Sequence, residues 1–593
     1  MVKRLAASLT FLLVLAGPFR AGWTHLETDF PNYYTAAWAV RQELPLREYY
    51  DWTWFARQMN YVGIERQLGV YTPQTPLTML PMIPLTRFPP QRAKQVWLVL
   101  NLVFLAAAIW LLSRMTRFTV EEIWLLTFCG YFSLRTNLLY GQYYLFLLFL
   151  FTAGFYFLHR KYETGCGVMT AIALGLKLYG GPFLLYYAVR REWKALIGMI
   201  AGGLAVVALA LALFGPADLH YYGTLVLPRT LEGGAIDPYA PGVATFSTML
   251  RHFFVREPEL NPTPLWNAPR LFFFLRTLIG LAVVGFLLAG ISRKATTEKR
   301  EFAWFLIALL LLSTNTVSYT FILLLLPLVL LLEQTGPRQG ALLVTLYVLL
   351  TLPLQPLWLF PKVWLLFVLF VVAGWPSLRQ ISWKWAAGIV AVCCVAAALD
   401  ASRHLLAYEQ EPGRRFEQLV REKGKLFAAF PVVTRAGLFY QTLGTDRYVL
   451  GWLHDNRNEE FSFEGSALHP RAAADGVGIE FELVANRNSV MMRFDPATRK
   501  ATPAGVRVPD DSAVPIFSPD GKWLAEESTE DGPTHIWLRD TRSGRRMRLT
   551  GGNCNSSSPA WALDSGSVVF ASDCGRAFGV PALYRAGLPA AQE

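Results

Sequence analysis

The sequence is short of charge. Only 17% of its 593 residues are Asp, Glu, Lys or Arg, while 53% are hydrophobic. Mean hydropathy is +0.32. Soluble domains carry about 25% charged residues, so a chain solvated by water along its whole length is excluded. Marks of common soluble chemistry are also missing. There is no metal-ligand spacing, no Gly-rich nucleotide loop and no nucleophile elbow. Cysteine is sparse, and Cys129, Cys166, Cys393 and Cys394 lie in apolar runs, as small buried residues do. The net charge of +12 does not argue for nucleic acid. The basic residues sit in short clusters between apolar segments, with no basic stripe interleaved with aromatics, so no nucleic-acid partner is expected.

What the chain has in quantity is apolar sequence. Runs near spanning length recur from residue 5 to residue 400, and a bilayer core needs about 20 apolar residues per helix. After Asp400 the composition turns polar and rich in Gly, Pro, Asp and Arg, without a spanning run. The expected division is a multi-pass α-helical membrane domain over 1–400, a linker over 401–425 and an extracytoplasmic all-β domain over 426–593. Lys3 and Arg4 precede the first apolar stretch, which lacks a small-x-small cleavage site. That stretch reads as the first helix, with a cytoplasmic N-terminus. Alternate helix ends then fall on Arg114 and Arg117, on Arg160 and Lys161, on RREWK at 190–194 and on SRKATTEKR at 292–300. Basic clusters on one side are the mark of cytoplasmic loops. The pattern predicts about 13 helices, an odd number. It places the tail outside, together with the long loops 23–92 and 215–270. Cys554 and Cys574 of the tail are then a candidate disulfide.

The tail repeats itself. PIFSPDGKWLAEES (515–528) returns as PAWALDSGSVVFAS (559–572), and HIWLRDTRSGRR (535–546) resembles SVMMRFDPATRK (489–500). Spacings of about 44 residues are those of propeller blades. Alternating apolar strands between Asp-Gly, Ser-Gly and Pro-Asp turns fit four-stranded blades. There is room for about four. The SPDG turn resembles the repeats of TolB-like and WD40-like propellers, which speaks to fold and not to ligand. A protein or a glycan is the expected kind of partner for such a domain.

The predicted outer face gathers the chemistry. Asp29, in TDFPNYYTAAWAV (28–40), sits at a membrane-helix end, where charge is costly and so marks candidate function. As an N-cap it needs no further role. Near it in the predicted topology lie YTPQTP (71–76), RTNLLYGQYY (135–144), Lys177 in GLKLYGG and GVATFSTMLRHFF (242–254). Lys177, Arg135, Arg229 and Arg251 are candidate phosphate-binding cations. Lys177 also has the ordinary option of snorkelling to the interface. Tyr33, Tyr34 and Trp38 are candidates to stack on sugar rings. His25 is a candidate partner for Asp29, and Glu27 an alternative base. One acid among several cations suits a base acting on a hydroxyl beside a phosphorylated lipid.

The order of motifs resembles glycosyltransferase family 87, membrane enzymes of the GT-C fold related to polyprenyl-phosphate-mannose-dependent α-1,2-mannosyltransferases. The matching residues are Asp29, Phe30, Tyr33, Tyr34, Ala36 and Ala37, then Tyr71, Pro73 and Pro76, then Gly141 and Gln142, then Lys177. The resemblance covers roughly residues 5–335. It implies a polyprenyl-phosphate sugar as donor, used at the outer leaflet of a bacterial inner membrane. It implies a glycan or glycolipid acceptor, Asp29 as catalytic base and no cofactor or metal. The chain departs from the family pattern at Tyr144, where members have Asn, at Thr320 in STNTVSYTFILLLLP (313–327), and at ATFS (244–247). These departures bear on the acceptor and the sugar, not on Asp29. Two other classes compete. A non-enzymatic membrane scaffold presenting the propeller needs Asp29 only as a cap. A transporter predicts related halves and polar residues at mid-membrane, and the sequence shows neither.

Overall fold

A computed structural model describes residues 1–26, 29–240, 242–257, 260–354, 360–403, 416–420, 427–504, 515–530 and 532–588. Glu27 and most of the expected linker lie outside the described residues. Helices run to Arg403, and strands begin at Glu417.

Six of the described helices are long and apolar enough to cross a bilayer: Val2–Thr24, Pro90–Met115, Trp193–Glu232, Pro269–Ser292, Pro361–Leu378 and Trp383–Arg403. The pair Tyr131–Tyr140 and Tyr144–His159, bent by 117°, makes a seventh if it counts as one span. The sequence expectation of about 13 helices takes each apolar run as a crossing, the short ones included. In the structure several runs, such as Glu163–Leu176 and Ser318–Leu332, are shorter helices. They are apolar because they are buried against other helices: Leu323 to Leu326 and Leu328 to Leu331 are all nearly inaccessible. Apolarity reports burial in protein as well as in lipid.

Local sequence sets the helix ends. Pro90 occupies the first turn of Pro90–Met115, where its missing N–H costs nothing. Thr119 and Glu122 exchange hydrogen bonds at the start of Val120–Cys129: Glu122 N–H donates to Thr119 Oγ1 at 3.3 Å and Thr119 N–H to Glu122 Oε2 at 2.9 Å. This is a capping box.

The β region holds four antiparallel four-stranded sheets. Ala428–Thr434, Gly437–Leu443, Tyr448–His454 and Arg457–Phe461 form one in chain order, and Ser466–Ala472 through Lys500–Pro503 the next. Ile516–Phe517 through Arg546–Arg548 form the third. The fourth joins Ser556–Trp561, Ser567–Ser572 and Ala582–Gly587 to the early strand Glu417–Gln418, with Glu417 opposite Arg585. Phe439, Phe481, Ala525 and Phe570, one from each sheet, are wholly buried.

Two buried arginines join the regions. Arg57, on Trp52–Tyr61, donates through Nη2 to Glu482 Oε2 at 2.6 Å, with both side chains almost inaccessible. Arg229, on Leu227–Glu232, pairs through Nη1 with Asp573 Oδ1 at 3.3 Å and donates through Nη2 to the Arg576 carbonyl at 3.0 Å. Asp573 also accepts from Asn555 N–H at 2.8 Å and Gly579 N–H at 2.9 Å. Cys554 and Cys574 are disulfide-bonded, with Cα atoms 5.1 Å apart. They pack in one cluster with Phe246, Met249, Leu250 and Phe272 of the helical region. The bond therefore lies at the junction of the two regions. Arg229, a phosphate candidate by sequence, is instead committed to this junction.

Removing one partner of a buried pair leaves the other charge uncompensated. Arg229→Leu is expected to destabilise docking of the β region by about 3–5 kcal/mol. Limited proteolysis and thermal unfolding in detergent should show it, and Lys522→Ala, at an exposed pair, should change neither.

Candidate active site

Asp29 opens the helix Asp29–Arg41, just past the first span. The geometry that reaches it starts at Gly141. Tyr131–Tyr140 ends on Gly141 in the left-handed conformation, φ 63° and ψ 41°, a region that side chains resist. The chain reverses there and begins Tyr144–His159. Trp97 Nε1–H donates to the Gly141 carbonyl at 2.9 Å and fixes the turn. A Cβ at Gly141 would lie 3.0 Å from Phe30 Cβ, so the turn packs directly on the residue after Asp29.

The turn aims Gln142. Its Nε2 donates to Asp29 Oδ2, and its Oε1 accepts from Tyr33 O–H at 2.9 Å. Tyr33 O–H in turn accepts from Lys177 Nζ at 3.3 Å. The ammonium lies 5.4 Å from the Tyr33 ring and 5.7 Å from the Tyr144 ring, within reach for cation–π attraction. It also donates to Gln74 Oε1. Asp29, Gln142, Tyr33, Lys177 and Gln74 are thus one connected network. Gln74 belongs to YTPQTP, and that segment is tied down by Thr78 Oγ1, which donates to the Leu176 carbonyl at 2.6 Å, and by Thr75 Oγ1 on the Gly175 carbonyl. The last turn of Glu163–Leu176 and the Pro-rich loop therefore place Lys177 together.

Burial pushes the Asp29 carboxyl above its ordinary range. The Lys177 charge, the Gln142 hydrogen bond and the Lys94 charge each pull it back. Lys94 is wholly buried and donates to the His25 carbonyl at 2.6 Å and the Leu139 carbonyl at 2.7 Å. Asp29 as a residue is partly exposed.

Lys177 and Tyr144 border a cavity of about 270 Å³ whose other walls are mainly apolar, among them Leu287, Leu309 and Leu312. Ser313, Thr314 and Asn315 also line it. The Tyr144 and Tyr319 rings stand 5.1 Å apart. Of the three departures named from the sequence, Tyr144 thus lines the Lys177 cavity. Among the described residues, no three His, Cys, Asp or Glu side chains come together as a metal site.

Not every residue singled out by sequence reaches the network. His25 turns its Nδ1 to the Ala21 carbonyl and Thr24 Oγ1, each at 3.0 Å, and not to Asp29. Tyr34 O–H is held by the Phe88 carbonyl at 2.8 Å. Arg251 pairs with Glu257 and lies 5.8 Å from the Tyr239 ring. Arg135 is exposed on Tyr131–Tyr140. Predicted sidedness selects residues at one end of the helices but cannot say which point inward. Conversely, Gln74, Lys94 and Tyr319 were missed. Lys94 stands in the polar start of its helix, PQRAKQ, beside Arg92, and so lacked the isolation that marked Lys177.

Residues 71–314 match the model of glycosyltransferase family 87. No curated protein matches the chain. Among solved structures, TolB from Acinetobacter baumannii is 22% identical over 24% of this chain and 37% of its own, with a TM-score of 0.15. A putative TolB from Agrobacterium tumefaciens is 21% identical over 28% of this chain and 59% of its own, with a TM-score of 0.14. The tricorn protease is 19% identical over 24% of this chain and 15% of its own, with a TM-score of 0.12. The chain thus spans less than two thirds of each of these structures.

The Gly141 turn generates a test. Gly141→Ala should cost about 1–3 kcal/mol, since the position needs a positive φ and Phe30 leaves no room. Thermal unfolding should register the loss. Gly203→Ala, on an open helix face with nothing within 4 Å, should be neutral or slightly stabilising.

Proposed function

We propose, from the premise that residues 71–314 mark the helical region as glycosyltransferase family 87, that the protein moves a hexose from a polyprenyl-phosphate sugar to an extracytoplasmic glycan or glycolipid. The observation that carries this reading is the network joining the Asp29 carboxylate to the Lys177 ammonium beside an apolar cavity. A lipid-phosphate sugar needs these three features together: an apolar wall for the prenyl chain, a cation for the phosphate and a base for the incoming hydroxyl.

In this reading the acceptor hydroxyl approaches Asp29. The carboxylate takes its proton as the oxygen attacks the anomeric carbon. The bond from that carbon to the phosphate oxygen breaks, and the polyprenyl phosphate leaves with the electron pair. Lys177 stabilises the charge that develops on it. One displacement inverts the anomeric centre. Gln142 holds the carboxylate in its aim, and Tyr33 relays that position to Lys177. The side chains that border the cavity, Tyr144 and Ser313 among them, face the donor sugar. The expected setting is a bacterial inner membrane, N-terminus cytoplasmic and β region extracytoplasmic as a four-bladed propeller.

Transfer from labelled polyprenyl-phosphate sugars by membranes containing the protein tests the reading. Asp29→Asn should lower turnover by about 10²–10⁴-fold at unchanged expression and thermal stability. Turnover retained in Asp29→Asn would remove Asp29 from the role of base. Turnover from no donor would favour the scaffold reading.

The pH profile gives a second test. Activity needs ionised Asp29, so it should fall on the acid side as the carboxyl protonates. The limb should lie above the ordinary Asp range, because burial raises this group. Gln142→Leu removes a hydrogen bond that favours the carboxylate, so the limb should move to higher pH.

A further inference from the structure

A second cavity, of about 220 Å³, lies where the β region meets the first long loop of the helical region. Tyr50, Asp51 and Trp52 line it from the loop, and Glu527, Ser557 and Asp573 from the β region. We propose that this cavity holds a neutral sugar ring of the acceptor glycan, so that the β region supplies part of the acceptor site; the acceptor role rests on the transferase reading above.

The walls have the composition of a sugar site. Carboxylates and hydroxyls accept and donate to ring hydroxyls, while Trp52, Tyr221 and Phe430 offer faces for the apolar side of a pyranose. The polar groups are held in place. Glu527 Oε1 accepts from Ser558 N–H at 2.7 Å. Asp51 Oδ1 accepts from Trp54 N–H at 2.7 Å. Trp52 Nε1–H donates to the Phe578 carbonyl at 3.3 Å. Groups fixed before binding lose little freedom on binding. Burial pushes the Glu527 carboxyl up, with Asp51 adding to it, so hydrogen bonds from sugar hydroxyls would relieve it. Asp573 is neutralised by Arg229, but the Asp51 and Glu527 carboxyls on the same walls disfavour uronic acids and phosphates, which directs the site to uncharged rings.

The cavity is also well positioned. Tyr50 O–H donates to the Gln74 carbonyl at 3.1 Å, and the Gln74 side chain accepts from Lys177. Tyr50, on the cavity wall, is therefore hydrogen-bonded directly to Gln74 of the Asp29 network. A glycan anchored by one ring is kept at high local concentration beside the base.

The test uses the full chain in nanodiscs, titrated with mannotriose, cellotriose and chitotriose, with trigalacturonic acid as the charged comparison. At least one neutral trisaccharide should bind, and trigalacturonic acid should not. Glu527→Gln, which keeps the acceptor for Ser558 N–H, should weaken binding by about tenfold. Ser557→Phe, which fills the space and leaves every carboxylate in place, should abolish it. Asp29→Asn should bind as the unaltered chain does. In transfer assays both cavity variants should raise the acceptor KM and leave the donor KM alone. Binding of no neutral trisaccharide, or binding and acceptor KM unmoved in both variants, overturns the proposal. A chain that binds the glycan through this cavity yet transfers from no donor overturns the transferase reading and leaves the glycan site standing.

Discussion

The hydrogen bond from Gln142 Nε2 to the Asp29 carboxylate is the contact through which the Gly141 turn, the Asp29 helix and the Lys177 network hold together. A carboxylate set among buried aromatics is driven toward its neutral form. It is usable as a base only if something favours its charge. Gln142 does so directly and Lys177 does so through space. Both are supplied by irregular backbone: the left-handed turn at Gly141 and the break after Leu176. The long helices serve as supports for these two breaks.

A different solution to the same difficulty joins the two regions. Arg57 and Arg229 are buried at the junction, and each is matched by one carboxylate of the β region. Arg229 also uses backbone carbonyls. Such pairs add little net stability over apolar contacts but punish misplacement heavily. The junction is thus selective about orientation. That selectivity matters because the cavity between the regions is lined from both of them.

Much of this was legible beforehand. Asp29 and Lys177 stood out because charge beside apolar runs is costly wherever it points. The repeat in the tail was legible because strand alternation and turn residues are local. Arg229 takes a partner that no local pattern announces, since Asp573 is 344 positions away, whereas Arg251 and His25 take near neighbours, Glu257 and Ala21, which sidedness alone does not select. The count of spans exceeded the six long helices because a helix buried in protein and one facing lipid are equally apolar.

The strand Glu417–Gln418 lies against Ala582–Gly587, so the β region begins and ends at one seam. A unit with adjacent ends can be spliced into or out of a longer chain without dragging its neighbours. Here the seam follows the last spanning helix, Trp383–Arg403, and no residue of the Asp29 network lies beyond it. Recombination at this seam would exchange one β module for another only where the incoming module again offers carboxylates to Arg57 and Arg229. The chain is thus covalently free to trade its β module and electrostatically bound to trade it only for one that fits the same two arginines.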